Sequence, residues 1–225
     1  MKTGVDISAY QTNVDYAHTG VGFAILRAGY GKLSSQKDKL FDTHYRGFKA
    51  AGVPVGAYWY SYAMSEDEAR QEAKACIEVL KDTQLEYPVY YDVEEKKQYQ
   101  LGKAKVTAII KAFCDEMEKA GYWVGIYTNT SWYLSVIDNR IKNRYALWIA
   151  HWDVAKPGII DEYGIWQYKV GQQTGVAGDC DLDYGYIDYE PMIKKAGKNN
   201  WSKKKTIAVT MTVDGVTYKG LLGEE

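Results

Sequence analysis

Eight short apolar segments, rich in β-branched and aromatic residues and separated by helical or loop segments, constrain the fold of this chain most. They predict strands at residues 3–8, 22–30, 54–63, 88–94, 122–129, 145–152, 163–170 and 178–184. Strands that alternate with helices favour a parallel sheet buried on both faces, and eight of them favour closure. The sequence therefore predicts an α/β fold, an irregular eight-stranded TIM-like β/α barrel.

Helices are predicted between the early strands. One runs from about residue 37 to residue 51, and a second begins at Ser65, which forms a capping box with Glu68. A third covers residues 102–122 and ends around Gly121. The links between the last strands are too short for full helices, so the final third of the barrel is predicted to be irregular.

The character of the chain changes after residue 196. The stretch "GKNNWSKKK", with its solvated lysines at 203–205, predicts a linker, and residues 206–222 predict a short β-hairpin appendage around an Asp214-Gly215 turn. We therefore expect a barrel over residues 1–196 and a linker with a hairpin tail over residues 197–225. Such a tail is too small for a core of its own, so it should dock on the barrel, on another chain or on a further domain.

Charge and hydropathy narrow the classes of partner. The net charge is −1, and the only basic block is the lysine run at 203–205, so nucleic acid is not an expected partner. The N-terminal stretch "MKTGVDISAY" lacks the features of a signal peptide, and no apolar run reaches membrane-spanning length. We expect a protein that begins in solution and does not act through a membrane.

Cysteine and histidine do not form a metal-binding pattern. The residues concerned are Cys76, Cys114, Cys180, His18, His44 and His151. The cysteines are odd in number and two lie on predicted helices, which favours unpaired thiols. The histidines are too scattered for a metal site, and no cofactor is predicted. Any catalysis must then rest on carboxylates.

The stretch "YPVYYDVEEKK" places two acids at the end of a predicted buried strand. Side chains alternate across a strand, so Asp92 and Glu94 share a face. Buried carboxylates are costly unless paired, so these two predict either a solvated strand end or a polar pocket.

Other acids fall in comparable places. Asp6 lies late in the first predicted strand, and Asp181 and Asp183 close the eighth. In a parallel barrel all carboxyl ends open on one face, where these acids would converge. Such a cluster could bind Mg²⁺ or Ca²⁺, or could supply the acid and the charged carboxylate that glycoside hydrolysis needs. For Asp183, a position in a solvent-exposed turn is expected at least as much as a position in this cluster.

The aromatic content favours a sugar ligand. The chain has 21 Tyr and 7 Trp but only 4 Phe, and Tyr and Trp combine an apolar face with a polar group. Each candidate residue could contact a sugar, but it could equally well serve in barrel packing or in a structural hydrogen bond. The candidates are Tyr58, Tyr60, Tyr127, Trp148, Trp166, Gln167 and His151.

Five segments in order resemble those of a known family. "GVDISAYQ", "YYDVEE", "LWIAHW", "IWQY" and "GDCDLDY" are similar to the signature segments of the glycoside hydrolase family 25 lysozymes, over about residues 3–190. The resemblance implies an irregular β/α barrel and an N-acetylmuramidase of the phage endolysin type. Members cleave the β-1,4 bond between N-acetylmuramic acid and N-acetylglucosamine in peptidoglycan.

The resemblance also implies roles for the acids. Glu94 would be the general acid, and Asp92 would orient the substrate N-acetyl group or stabilise charge. Asp6 and Asp181 would complete the acidic floor. Which of the three aspartates faces the anomeric carbon is left open. Either a carboxylate or the N-acetyl group of the substrate could be the nucleophile, and we favour the latter.

One position departs from the family pattern. Trp59 stands where many members have a histidine, so a substrate contact there would pass to Trp or Tyr.

Two other functions stay open, a non-catalytic wall-binding module and a metal-dependent hydrolase. An endolysin would be made in the host cytoplasm and reach the wall after release, although a secreted enzyme without its signal would look the same. The tail is predicted to mediate self-association or wall targeting.

Overall fold

The computed structural model describes residues 1–202, 206–214 and 216–223. Eight strands form a closed barrel in chain order, which confirms the predicted fold class. The strands are β1 (Lys2–Ile7), β2 (Phe23–Tyr30), β3 (Val55–Tyr60), β4 (Val89–Asp92), β5 (Val124–Asn129), β6 (Ala146–Ala150), β7 (Ile165–Gln172) and β8 (Asp179–Gly185).

The last strand runs against its neighbours. Each pair from β1–β2 to β6–β7 is parallel, whereas β8 is antiparallel to both β7 and β1. The expectation that β8 shares the parallel direction is therefore wrong. Only residues 173–178 connect β7 to β8. A parallel crossover needs a dozen or more residues, so a link this short produces a hairpin.

Six α-helices accompany the strands over the described residues. They are α1 (Phe41–Ala50), α2 (Glu66–Leu80), α3 (Lys96–Tyr99), α4 (Gly102–Lys119), α5 (Thr130–Ser135) and α6 (Tyr189–Ala196). The start of α2 is capped as predicted, because Ser65 Oγ accepts a hydrogen bond from the Glu68 backbone at 3.2 Å. Gly121, with φ of +92°, follows the end of α4. No helix among these is both long and apolar enough to cross a membrane.

Alternation along the strands divides the core into two layers. One layer fills the barrel and includes Phe23, Tyr90 and Trp148. The other lies between the strands and the helices and includes Tyr91, which stacks on Phe113 of α4 with ring centroids 3.8 Å apart. Neighbouring residues on one strand thus face different layers, and the inward series of β4 continues from Tyr90 to Asp92.

The amino ends of the parallel strands, which we call the base, are closed by the segment after β8. Tyr189 and Ile193 of α6 belong to the inner core layer. The next residues also pack here, although their composition predicts a linker. Asn199 is fully buried, and its side chain bonds the Trp123 backbone N–H at 2.7 Å and the Tyr87 carbonyl at 2.8 Å. The chain therefore remains attached to the barrel as far as Trp201.

The predicted C-terminal hairpin is present. Strands β9 (Thr206–Val213) and β10 (Val216–Gly223) pair antiparallel, with Val213 opposite Val216. Asp214 has a φ of +51° in the turn, whereas Gly215 and the lysine run at 203–205 lie outside the described residues. The division of the chain at about residue 197 remains a proposal.

Candidate active site

Four acids from distant parts of the sequence surround one cavity at the carboxyl ends of the parallel strands, which we call the mouth. Asp6 comes from β1, Asp92 ends β4, Glu94 follows two residues later, and Asp181 lies on β8. All four line a cavity of about 590 Å³. Alternation along one strand brings Asp92 and Glu94 together, whereas barrel closure brings in Asp6 and Asp181, which are direct partners in the β1–β8 register.

The reversed direction of β8 corrects the expectation for Asp183. This residue does not sit in a solvent-exposed turn, because from Asp181 the strand runs down into the barrel. Asp183 is 0% exposed and accepts a hydrogen bond from Trp148 Nε1 at 2.8 Å. Its Oδ2 has no hydrogen-bond partner in the described part of the structure. A fifth carboxyl group therefore lies beneath the four that line the cavity.

Gln167 connects the acids to the aromatic wall. Its Nε2 donates to Asp6 Oδ2 at 2.8 Å. Its Oε1 accepts from the Tyr127 hydroxyl and from Trp152 Nε1, each at 2.9 Å. The amide is thus held from three sides, which orients it toward Asp6. A fixed donor of this kind stabilises the charged form of an acid that burial otherwise disfavours.

Burial raises the pKa of every acid in the cluster. It is the largest cause for Asp6, and the charges of Asp183 and Asp181 add to it. Burial and the neighbouring Glu94 raise the pKa of Asp92, while Arg27 acts in the opposite direction. Burial and then Asp181 raise the pKa of Glu94. The pKa of Asp181 rises to about 6, again through burial. The cluster therefore retains protons at a pH where ordinary carboxyl groups have lost them.

Arg27 is the cation of this cavity that sequence reasoning missed. It lies on β2 two residues after Ile25, which faces the barrel interior, so alternation would have placed Arg27 at the mouth. Its Nε donates to Asp38 Oδ2 at 2.7 Å. Because the positive charge faces Asp92, it favours the ionised form of that acid.

Most of the candidate sugar contacts lie where a ligand could reach them. Tyr58, Tyr60, Tyr127, Trp148 and Gln167 line the same cavity as the acids. His151 lines a second, adjoining cavity of about 480 Å³, and its Nδ1 lies 2.7 Å from the Pro157 carbonyl oxygen. Glu94 and Tyr127 line both cavities, so the two form one continuous groove.

Two tryptophans are placed elsewhere. Trp166 lies outside the barrel wall in the outer core layer, and its Nε1 donates to the His151 carbonyl at 2.9 Å. It was predicted together with Gln167, but neighbours on a strand face opposite ways, and Gln167 faces the site. Trp59 is likewise fully buried in the outer layer and bonds the Gly31 carbonyl at 3.0 Å. The departure from the family pattern at Trp59 is therefore remote from the groove.

Several groove residues were absent from the sequence-based prediction. Tyr10, Tyr30 and Tyr62 line the main cavity. Tyr30 ends β2, and the other two lie in loops that follow the carboxyl ends of β1 and β3. Trp152 and Asn129 line the adjoining cavity. The available signal was position alone, because residues that follow parallel strands collect at the mouth.

A buried network holds the loop after β3. Glu72 of α2 is fully buried and accepts hydrogen bonds from the Tyr62 backbone N–H at 2.8 Å and the Tyr91 hydroxyl at 2.6 Å. Ser61 donates to the same hydroxyl at 2.8 Å, and Gln98 Nε2 donates to Ser61 at 2.7 Å. Burial raises the pKa of Glu72 to about 7. The network fixes the backbone that carries Tyr62 into the groove.

This arrangement suits acid catalysis on a neutral, polar ligand. A half-buried acid with a raised pKa stands beside more deeply buried carboxyl groups, and aromatic rings form the walls. Such pairs of carboxyl groups in unequal environments can divide into a proton donor and a charge stabiliser. Over the described residues, no group of three or more His, Cys, Asp or Glu side chains has an arrangement that could hold a metal ion.

Comparison with known proteins identifies a shared family. The family model for glycosyl hydrolases family 25 matches residues 5–176. The autolytic lysozyme of Clostridium acetobutylicum is 29% identical over 186 residues, which are 80% of this chain and 54% of that protein. This chain thus spans about half the length of that relative.

Two further proteins match more of their own length. The N,O-diacetylmuramidase of Arthroderma benhamiae is 27% identical over 214 residues, 86% of this chain and 87% of that protein. The crystal structure of the CTP1L endolysin superposes with a TM-score of 0.75 and 28% identity, covering 86% of this chain and 70% of that one.

Proposed function

The chain belongs to glycosyl hydrolases family 25, and on that premise we propose that it is a peptidoglycan hydrolase of the N-acetylmuramidase type. It cleaves the β-1,4 bond between N-acetylmuramic acid and N-acetylglucosamine in the bacterial cell wall. The observation that carries the proposal is the position of Glu94, which lines both cavities of the groove. A glycan chain that occupies both cavities passes directly over this carboxyl group.

Glu94 acts as the general acid. Its raised pKa favours retention of the proton on the carboxyl group, as a general acid requires. The proton moves to the glycosidic oxygen as the bond from that oxygen to the anomeric carbon breaks. The positive charge that develops on the sugar ring is stabilised by the carboxylates around it, since the electrostatic interaction is strong in a partly buried site.

Asp92 orients the acetamido group at the scissile sugar. Asp92 in its ionised form, which Arg27 favours against the opposing effects of burial and Glu94, accepts the N–H of this group and directs its carbonyl oxygen toward the anomeric carbon. That oxygen forms a bond as the leaving group departs. Water then opens the resulting ring and returns its proton to Glu94. Asp6 and Asp181 complete the floor of the groove, with Gln167 fixing Asp6.

The test is the release of new saccharide ends from purified peptidoglycan. We expect turbidity to fall and reducing N-acetylmuramic acid ends to appear with the intact protein, and both to vanish with Glu94→Gln. Glu95→Gln is the matched control, because Glu95 caps α3 through the Lys97 backbone and does not line either cavity. Ends from both Glu94→Gln and wild type would mean that another acid donates the proton.

Two other outcomes separate the rival functions. Wall binding without new ends, on walls from several bacteria, would favour a non-catalytic binding module. Activity that disappears with a chelator and returns with Mg²⁺ or Ca²⁺ would favour a metal-dependent hydrolase.

We also infer that the protein is made in the cytoplasm of a bacterial host and acts on the wall after release, as the similarity to an endolysin suggests.

We further propose that the hairpin of β9 and β10 mediates self-association or wall targeting. An isolated two-stranded hairpin is marginally stable, so it gains from a partner. Deletion should begin after Ser202, because Asn199 to Trp201 are bonded to the base. We expect this deletion to lower either the mass in solution or the bound fraction on whole walls, with unchanged turnover of soluble glycan fragments. If mass and wall binding both stay the same, the proposal is wrong.

A further inference from the structure

The groove extends past the acids into a third cavity of different charge. This cavity has a volume of about 310 Å³. It shares Tyr10, Arg27 and Tyr30 with the acid-lined cavity, and adds Lys37 and Lys39. We call it the cationic recess. Arg27 stands at the junction, so the acidic and basic parts of the groove are neighbours.

The charge of the recess is positive despite one acid in its lining. Asp38 is buried, and its carboxylate accepts hydrogen bonds from the Arg27 Nε and from the backbone N–H groups of Ala9 and Leu40, at 2.7, 3.0 and 2.9 Å. Its charge is therefore satisfied from within the fold. The Arg27 bond uses one of the five N–H groups of the guanidinium, and Arg27 lines both the recess and the acid-lined cavity.

The two lysines differ in exposure, and the Lys37 side chain is only 33% exposed. Lys37 pairs with Asp42 of α1, whose side chain is 53% exposed and does not line the recess. Lys39 is exposed. The Arg27 guanidinium lies 5.2 Å from the ring centroid of the exposed Tyr10. Together these side chains form an open, cationic pocket with an aromatic wall.

A neutral sugar does not require three cations, so the recess indicates a charged group on the ligand. We propose that the cationic recess binds the carboxylate that the substrate carries on its muramoyl peptide, which places the glycan in the groove. The inference rests on the proposed function and adds an anionic substituent to its substrate. The neighbouring acid cluster disfavours an anion, so the recess and the acids together define the direction in which the chain lies.

The test compares two forms of one substrate. Soluble peptidoglycan fragments are prepared with free carboxylates and with the carboxylates converted to neutral amides, both from walls stripped of phosphate polymers. The proteins are wild type, Lys37→Gln/Lys39→Gln, and the control Lys111→Gln/Lys119→Gln. The control lysines pair with Asp115 and Glu116 on α4 and line none of the three cavities, so they match the recess pair in charge change.

Wild type should have a kcat/KM about 3- to 10-fold higher on the free carboxylate form, mainly through KM, because two exposed ion pairs supply modest binding energy. The recess variant should lose this preference and keep its rate on the neutral form. The preference should also weaken with added salt, since the Debye length is about 8 Å at physiological ionic strength. The control pair should behave as wild type, and melting temperatures check that all variants fold.

The outcomes separate the two proposals. Equal cleavage of both forms by wild type, or equal loss in the control pair, would overturn the recess as a carboxylate site. A preference that appears only on walls that retain phosphate, and that the recess variant loses, would overturn the carboxylate in favour of phosphate. If wild type releases no ends from any form, the proposed function itself fails.

Discussion

The mouth and the base of the barrel treat buried carboxyl groups in opposite ways. At the base, the buried Glu86 pairs with Lys49 and accepts the Val55 backbone N–H at 3.0 Å. At the mouth, the buried Asp92 has an oxygen with no hydrogen-bond partner over the described residues. A buried polar atom without a hydrogen-bond partner lowers the stability of the folded state. Interactions elsewhere in the molecule must therefore offset the cost of the acids at the mouth.

Asn199 and Asn200 are the clearest example at the base. Both adopt a left-handed backbone, with φ of +54° and +65°. The Asn199 amide bonds the segments before β4 and β5, and Asn200 Nδ2 donates to the Thr83 carbonyl at 2.8 Å. Each amide connects segments that are distant in sequence. These side-chain amides stabilise the fold at the base, whereas carboxyl groups at the mouth keep oxygens without a hydrogen-bond partner over the described residues.

The largest effect that can test this contrast is on the rate. Asp92→Asn should lower kcat on peptidoglycan by roughly 10²- to 10³-fold, because the acid that orients the substrate is lost. It should also raise the free energy of unfolding at neutral pH, since burial raises the pKa of Asp92 and so disfavours its charged form in the folded state. Reducing-end kinetics and urea unfolding measure the two quantities.

The opposite outcome is expected of an acid at the base. Glu86→Gln leaves Lys49 without its partner and should lower stability with little change in kcat. If Asp92→Asn were instead less stable than wild type, the mouth would not carry a cost in stability, and the comparison would fail.

The next largest effect is on stability. Asn199→Ala should lower the free energy of unfolding by about 3 kcal/mol, because it leaves the Trp123 N–H and the Tyr87 carbonyl without a buried partner. It also puts a residue with a Cβ and no local hydrogen bond in a left-handed conformation. Chemical unfolding is the measurement, and kcat at a temperature well below melting should be unchanged. A drop in kcat there would show that the base and the mouth are coupled.

The smallest effect is expected at Glu72, which combines features of the mouth and of the base. It is hydrogen bonded on both oxygens, as at the base, but burial without a cation raises its pKa from 4.5 to about 7. An acid with a raised pKa stabilises the fold below its unfolded pKa, and that contribution is lost as pH rises through the folded value. Between pH 4.5 and 7 the free energy of unfolding should therefore fall as pH rises.

Glu72→Gln should remove part of this decrease, on the order of 2 kcal/mol, since one pKa unit corresponds to about 1.4 kcal/mol. The variant should be more stable than wild type at pH 8 and no more stable at pH 4. Urea unfolding of both proteins from pH 4 to pH 8 measures this difference in the free energy of unfolding. A pH dependence equal to that of wild type would mean that Glu72 does not titrate here, and that its hydrogen bonds suffice without a cation.

The sequence predicted those parts of the fold that depend on local pattern. Period-two alternation located Asp92 and Glu94 on one face, and capping residues located the start of α2. The direction of β8 was missed, although the six-residue link at 173–178 carried the signal. The inward position of Asp183 follows from that direction, so its burial could not be predicted from a parallel barrel.

The parts of the site that were missed depend on tertiary contacts. Trp166 and Trp148 have similar local sequences, and only the barrel determines which one faces inward. Asn199 lies in a stretch whose composition is typical of a linker, and its role depends on segments more than 70 residues away, such as Trp123 at a separation of 76. Loop residues such as Tyr10 and Tyr30 come together only when the strands close.

The antiparallel direction of β8 also determines where further protein segments can be attached to this barrel. Because β8 runs from mouth to base, its last residue, Gly185, is the register partner of Lys2, and Lys2 bonds Asp188 at 3.1 Å. The first and last strands of the barrel therefore begin and finish side by side at the end remote from the acids. The barrel can be fused, circularly permuted or anchored at this part of the base while the groove at the mouth stays open to peptidoglycan. A fully parallel barrel of eight strands would instead finish its last strand at the mouth, where any attachment would compete with the substrate for space.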